Sequence, residues 1–298
     1  MRYPSPGRVL VTGAAGRIGR AVLALLADRG IIATALVLDD PGDLAADRVV
    51  TGDAGDPDTV RTALAGVDAV IHLAAIPSPA GHSPYAVFGG NVTATFTVLE
   101  EAGRTGVRAA AIASSYCTTG LPFARAGLHP AYVPLDLATP SQVEDPYGLS
   151  KQVDELTAAA MARRYGMAVT ALRYPFVASA ERLAARAAEI AADPAHAARE
   201  LWMYLDSRDA ARAALLALGA TGAHTVHVAA PRTLAPYPTL DLIRRYHPET
   251  EIRAPLPGRA APLDLAHARN LLGFTAEHAL DVVGTPADPG AISESLST

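Results

Sequence analysis

Val9-Leu10-Val11-Thr12-Gly13-Ala14-Ala15-Gly16-Arg17-Ile18-Gly19 reads as an aliphatic strand that runs into a glycine loop and then a helix. The glycines allow a tight turn, close backbone approach to a pyrophosphate, and close packing of helix on strand. The helix N-terminus then faces the phosphates with free N–H groups and the positive end of its dipole. A lone G-x-x-G-x-x-G spacing is weak, but its place directly after an aliphatic strand points to dinucleotide binding. Gly13, Gly16, Arg17, Ile18 and Gly19 are the expected contacts there, with Arg17 available to pair with a phosphate.

Outward from this loop, short aliphatic runs alternate with helical patterns, which predicts a parallel sheet with helices on both faces. The expected strands are Arg8–Thr12, Ile32–Leu38, Arg48–Thr51, Ala69–Leu73, Ala109–Ala113 and Ala168–Tyr174. Helices fit between them, from about Gly16 to Arg29, from the Asp56 cap and Pro57 to Gly66, and from Tyr85 to Gly103. Another opens with Asp145 as cap and Pro146 at its first position, and closes at Gly166. Leu121 to Gln142 has no clear period and reads as a loop over the site. After Tyr174 the pattern thins. Helices are expected at 180–192, 207–218, 239–246 and 263–272, with a short strand at Thr225–Val228. The fold class is therefore α/β, a Rossmann-type doubly wound parallel sheet with a small C-terminal substrate lobe. Residues 1–176 form the nucleotide-binding part. Residues 177–283 form mainly the lobe, with a late strand and helix returning to the sheet, and 284–298 form a flexible tail.

Twenty residues after Gly19 the second strand ends in Leu38-Asp39-Asp40. An acid there can accept both ribose hydroxyls of NAD and repel the 2′-phosphate of NADP, so Asp39 favours NAD. The same residue could also be part of a solvated acidic turn. Asp53 and Ala54 follow the third strand. Asp53 could accept from the adenine amino group, or serve as a turn residue.

Of 25 basic residues, Lys151 is the single lysine and the rest are arginine. An ammonium is a compact point charge where a guanidinium is a planar fork, so the exception points to a task arginine cannot perform. Tyr147 stands four residues earlier, on the same face of the same helix. An ammonium beside a phenol favours the phenolate and lowers the tyrosine pKa, which makes a general acid or base.

The bulk numbers narrow the setting. A chain of 298 residues, half hydrophobic, suits one large α/β domain with a small lobe. A net charge of -5 argues against nucleic acid and anionic membrane surfaces. One cysteine, Cys117, forms no internal disulfide. With no apolar run of spanning length and no signal-peptide pattern, a soluble cytoplasmic protein is expected. No metal is expected.

In order along the chain stand Gly13-x-x-Gly16-x-x-Gly19, His72-Leu73-Ala74-Ala75, Asn91-Val92-Thr93, Ser114-Ser115 and Tyr147-Gly148-Leu149-Ser150-Lys151. With these the chain resembles the extended short-chain dehydrogenase/reductases, the epimerase/dehydratase group. The resemblance implies that Tyr147 exchanges a proton with the substrate oxygen and Ser115 hydrogen-bonds that oxygen. Lys151 would bind the nicotinamide ribose and lower the Tyr147 pKa. Leu73, Ala74 and Ala75 would line the cofactor, Asn91 would support the helix near the site, and Pro175 and Phe176 would flank the nicotinamide, with Phe176 toward substrate. From the residues alone, Ser115 could be a strand-end cap with Ser114 the partner instead, Asn91 a cap, and His72 a packed strand residue.

The chain also departs from that pattern. Tyr116-Cys117-Thr118-Thr119-Gly120 follows Ser115 where relatives commonly end in valine-tyrosine-glycine, and Tyr116 brings a second phenol that could contact substrate. The acidic pair of sugar-nucleotide dehydratases is not there. Ala180–Ala192 is mostly alanine, with Arg182 and Arg186 the available cations, a poor cradle for a nucleotide diphosphate. The main expectation is an NAD(P)-dependent oxidoreductase moving a hydride between nicotinamide and a secondary alcohol or carbonyl. Its small-molecule substrate would be a sugar acid, a sterol-like ketone or a polyketide ketone. The alternatives are a nucleotide-sugar epimerase with tightly bound NAD and a non-catalytic nucleotide sensor. The resemblance also implies a homodimer.

Overall fold

The computed structural model describes residues 6–282, so the tail expected at 284–298 lies outside the described residues. Its elements begin with β1 (Arg8–Thr12), α1 (Arg17–Asp28), β2 (Ile32–Val37), β3 (Arg48–Thr51), α2 (Pro57–Ala63) and β4 (Ala69–His72). Next come α3 (Pro84–Arg104), β5 (Ala109–Ser115), β6 (Tyr132–Val133), α4 (Pro146–Tyr165), β7 (Ala168–Tyr174) and β8 (Phe176–Ala178). The chain continues through α5 (Ala180–Ala192), β9 (Tyr204–Asp206), α6 (Ser207–Ala217), β10 (Ala223–His227), α7 (Thr239–Tyr246), β11 (Glu251–Ile252) and α8 (Ala266–Leu272).

Seven strands pair in parallel in the order β10-β7-β5-β4-β1-β2-β3. Both faces are covered, which is why the strands read as near-continuous apolar runs. Side chains alternate along each strand. Val9, Val11, Ala35 and Ile71 pack with Val22, Leu23 and Leu26 of α1 and with Ala210 and Ala214 of α6. Leu10, Leu36, Val70 and Ile112 pack on the other face with Val60, Val98, Leu99 and Met161 from α2, α3 and α4. The strand order reverses between β1 and β4. The carboxyl ends of these two strands open the crevice where this class of sheet receives its ligand.

The lobe has its own core, built on Trp202, Tyr204, Leu183, Ile190, Leu242 and Ile243. Two small parallel pairs frame it, β8 with β9 and β6 with β11. The chain does not stay in the lobe after residue 177. Helix α6 packs beside α1, and β10 adds to the edge of the main sheet against β7. Lobe and sheet are thus interleaved in sequence.

Two differences from the sequence reading bear on the site. Strand β5 runs to Ser115 rather than stopping at Ala113, because Ser114 and Ser115 pair with Arg173 and Tyr174 of β7. The segment 121–142, expected to be irregular, contributes β6. Strands β6, β8, β9 and β11 are two or three residues long and form through distant partners, so no local period announces them.

Candidate active site

Gly13 follows β1 with φ +63, a left-handed conformation that favours glycine, and a Cβ there would lie 2.7 Å from the Ala74 nitrogen. A Cβ on Gly19 would run into the Gly13 carbonyl and the Ala14 backbone, so this glycine lets α1 pack on the loop. Gly16 is the α1 N-cap and supplies no side-chain cap. The first N–H groups of the helix therefore point out of the loop with no side-chain acceptor, which fits a pyrophosphate.

The loop is braced from β4. Thr12 Oγ1 accepts from the Leu73 and Ala74 amides at 3.1 Å each, so its own proton goes to His72 Nδ1 at 2.7 Å. That leaves the proton of His72 on Nε2, which donates to Thr95 Oγ1 at 3.1 Å. His72 is buried, and desolvation together with the nearby Lys151 charge drops its pKa to about 3. It is a neutral strut between β1, β4 and α3.

The N-terminus of α4 holds the tyrosine and lysine expected to carry the chemistry. Asp145 caps it by accepting from Tyr147 N at 2.9 Å and Gly148 N at 2.8 Å, which fixes the first turn. Tyr147 and Lys151 follow one turn apart, 8% and 3% exposed. The Lys151 Nζ lies 5.8 Å from the Tyr147 ring centre and 3.0 Å from Asp154 Oδ2. Ser115 ends β5 facing this turn. Its Oγ accepts from Cys117 N at 3.0 Å, which leaves its proton to donate toward the Tyr147 hydroxyl. Ser115 is thus both a cap and a candidate substrate donor. Ser114 instead bonds Glu155, which also holds Arg173 through two bonds of 2.8 Å.

The proton affinity of Tyr147 differs from the sequence expectation. Its pKa is pushed up, first by burial and then by Cys117, with Asp154 and Asp145 adding to the rise and the Ser115 hydroxyl opposing it. Lys151 does not act as a free ammonium beside the phenol, because Asp154 balances its charge. The Cys117 thiol is itself pushed up to about 12 by burial and is neutral at ordinary pH.

The other expected contacts fall in different surroundings. Asp39 is exposed just past β2, and Ala54 is buried beyond β3. Asp53 accepts from Gly55 N at 2.8 Å and so serves as a turn residue. Asn91 on α3 bonds both backbone groups of Ile76 and the hydroxyl of Ser150. Ile18 and Ala75 are half-buried along the crevice, as is Pro175 between β7 and β8. Phe176 is half-buried under the guanidinium of Arg186, 5.8 Å from its ring centre. Arg17 donates through one guanidinium nitrogen to the Val177 carbonyl of β8, so it spans loop and lobe. Tyr116 was expected to contact substrate, but it is 3% exposed in the lobe core with its hydroxyl on the Arg199 carbonyl.

Two residues at the site escaped the sequence reading. Phe123, in the loop over the site, meets the Tyr147 ring edge-on with centroids 6.0 Å apart. No spacing rule could have placed it. Asp154 could have been found as an acid three positions after the single lysine on a helix. Among the described residues no group of three or more His, Cys, Asp or Glu side chains could hold a metal ion. No described helix is long and apolar enough to cross a membrane.

The switch-point crevice, the glycine loop and the Ser115, Tyr147 and Lys151 set define a Rossmann-type fold of the extended short-chain dehydrogenase/reductase class. The chain belongs to the NAD dependent epimerase/dehydratase family, whose model matches residues 9–230. A uronate dehydrogenase from Pseudomonas putida is 33% identical over 171 residues, 56% of this chain and 59% of that protein. A UDP-glucose 4-epimerase from Corynebacterium glutamicum is 28% identical over 179 residues, 58% of this chain and 52% of that one. The chain thus spans little more than half the length of these curated relatives. Among solved structures, a short-chain dehydrogenase/reductase superfamily protein from Agrobacterium tumefaciens with bound NAD superposes with a TM-score of 0.69 at 26% identity. That superposition covers 91% of this chain and 93% of the other.

Proposed function

We propose that the protein is an NAD-dependent dehydrogenase that oxidises a secondary alcohol of a free sugar or sugar acid and releases the product. The observation that carries this reading is the convergence of Ser115, Tyr147 and Lys151 beside the glycine loop at the carboxyl edge of the sheet. The uronate dehydrogenase relative supports the substrate class. So does the lobe. Arg186, a candidate for holding a diphosphate, is engaged by Glu189 at 3.2 Å and Glu200 at 3.4 Å.

In this reading the residues of the glycine loop and of Leu73–Ala75 hold the dinucleotide. The exposed Asp39, past β2, favours NAD over NADP. When bound, the nicotinamide accepts the hydride. The Ser115 hydroxyl donates to the substrate oxygen and orients it. The Tyr147 Oη removes the hydroxyl proton during oxidation and returns it during reduction. Lys151 keeps one hydrogen on Asp154 and has two left for ribose hydroxyls. Phe123 closes over the Tyr147 ring and limits water.

A second copy of the chain is the partner this reading expects. Tyr85 (89% exposed) and Phe96 (49%) on α3, with Leu149 (45%) and Leu156 (70%) on α4, place large apolar side chains on two adjacent helices. Eleven-residue and seven-residue spacings keep each pair on one helical face.

The test is nicotinamide absorbance with NAD or NADP and a panel of uronic acids and aldoses. Net formation of reduced cofactor supports the dehydrogenase. No net change, with UDP-sugars interconverted and nicotinamide released on denaturation, replaces it with the epimerase.

A further inference from the structure

The single lysine of the chain lies in a buried ion pair. Its partner Asp154 is 1% exposed, one helical turn on, with Oδ2 3.0 Å from Nζ. The other Asp154 oxygen is buried with no hydrogen-bond partner among the described residues. An acceptor left in that state costs stability, so its place beside the lysine asks for a role.

The neighbouring groups do not supply that charge. His72, across on β4, is neutral. The Cys117 thiol is neutral. Asp145 spends one oxygen on the two amides of the cap, and its other oxygen, buried without a partner among the described residues, lies in no ion pair with Lys151. Glu155 is engaged by Arg173 and Ser114. Asp154 is left as the counter-ion of Lys151.

We propose that Asp154 is a positioning residue that fixes the Lys151 ammonium as half of a neutral buried pair, and so sets when Tyr147 can act as a base. The charge on Asp154 adds to the burial that makes Tyr147 hold its proton. With an uncompensated lysine the same phenol would ionise more readily. The pair also fixes the direction of Nζ, which leaves its two other hydrogens a defined aim.

The proposal concerns the site of the proposed dehydrogenase, but its test needs neither substrate nor turnover. A missing activity and a failed titration are therefore separate results. Protein carrying [13Cζ]tyrosine is titrated by NMR, with the Tyr147 resonance assigned by its loss in Tyr147→Phe. Asp154→Asn is expected to lower the Tyr147 midpoint, read as a phenolate fraction about tenfold larger than in wild type at any one alkaline pH. Lys151→Met alone is expected to raise it, and the double variant Lys151→Met/Asp154→Leu, which removes both charges, to return it near the wild-type value. Replacing a buried ion pair with apolar groups of similar size is well tolerated, so the double variant remains measurable if Asp154→Asn does not fold. In that case a midpoint in Lys151→Met above that of the double variant supports the proposal. Equal midpoints in wild type and Asp154→Asn, or in Lys151→Met and the double variant, would overturn it and leave Asp154 a packing residue. Where dehydrogenation is measurable, the alkaline limb of Asp154→Asn moves to lower pH with that midpoint.

Discussion

Asn91 and Ser150 join two helices at the back of the site. The Asn91 Nδ2 donates to Ser150 Oγ at 3.1 Å, and Ser150 passes its own proton to the Tyr147 carbonyl at 2.8 Å. The same carboxamide closes a two-bond clamp on Ile76, at 2.8 and 3.1 Å. The segment after β4 and the first turn of α4 are therefore linked through one side chain.

Asn91→Ala should cost stability and catalysis together. It strips partners from the part-buried backbone groups of Ile76, at about 1 kcal/mol for each bond lost. It also frees the Tyr147 turn, where a small displacement lowers turnover about tenfold or more. Thermal melting and steady-state kinetics on one preparation check both; an unchanged kcat would remove Asn91 from the support of the site.

Tyr147→Phe removes the proton-transfer oxygen and keeps the ring against Phe123. Turnover should fall by roughly 10²–10⁴ while cofactor affinity stays close to wild type. Lys151→Arg should lose both. A planar fork does not fit the pair with Asp154 in a slot where the side chain is 3% exposed. Cofactor fluorescence titration and turnover numbers separate these patterns.

The pH dependence has a definite sign. Tyr147 holds its proton above the ordinary range, so the phenol is protonated through neutrality. Oxidation needs the phenolate and should rise about tenfold per pH unit above neutral until another group intervenes. Reduction uses the protonated form and should stay level across the same range. His72, with its pKa near 3, contributes nothing there. A bell centred below neutral for oxidation would contradict Tyr147 as the base.

Asp39→Ala should raise kcat/KM with NADP relative to NAD, because a carboxylate near the 2′ position repels phosphate. An unchanged ratio would place Asp39 away from the ribose.

Phe96→Asp combined with Leu156→Asp should convert a dimer to a monomer in sedimentation velocity. A wild-type chain that sediments as a monomer at micromolar concentration would remove the two-helix interface.

Much of the sheet was legible because a parallel strand buried on both faces is an unbroken apolar run, and β1, β3 and β7 match their expected limits. The Asp145 cap and Pro146 likewise placed α4 from local chemistry. Long-range choices were not readable. Ser114 and Ser115 look alike in sequence. Strand alternation and the reach of Glu155 separate them in space. Tyr116 looked free for substrate, yet the lobe core claims it. The Tyr147–Lys151 spacing gave the right face, but the charge on that face depends on Asp154, whose burial no spacing rule reports.

Arg17 gives the glycine loop a mechanical role. Its guanidinium reaches 160 positions along the chain to the Val177 carbonyl of β8, next to the half-buried Phe176. A tether of this kind makes the posture of the loop and of the lobe one shared degree of freedom. A ligand that stiffens either end leaves less disorder to be lost when the other end is filled. Linkage then requires the help to be mutual, so a substrate should tighten the grip on the dinucleotide by the same factor as the dinucleotide tightens the grip on the substrate.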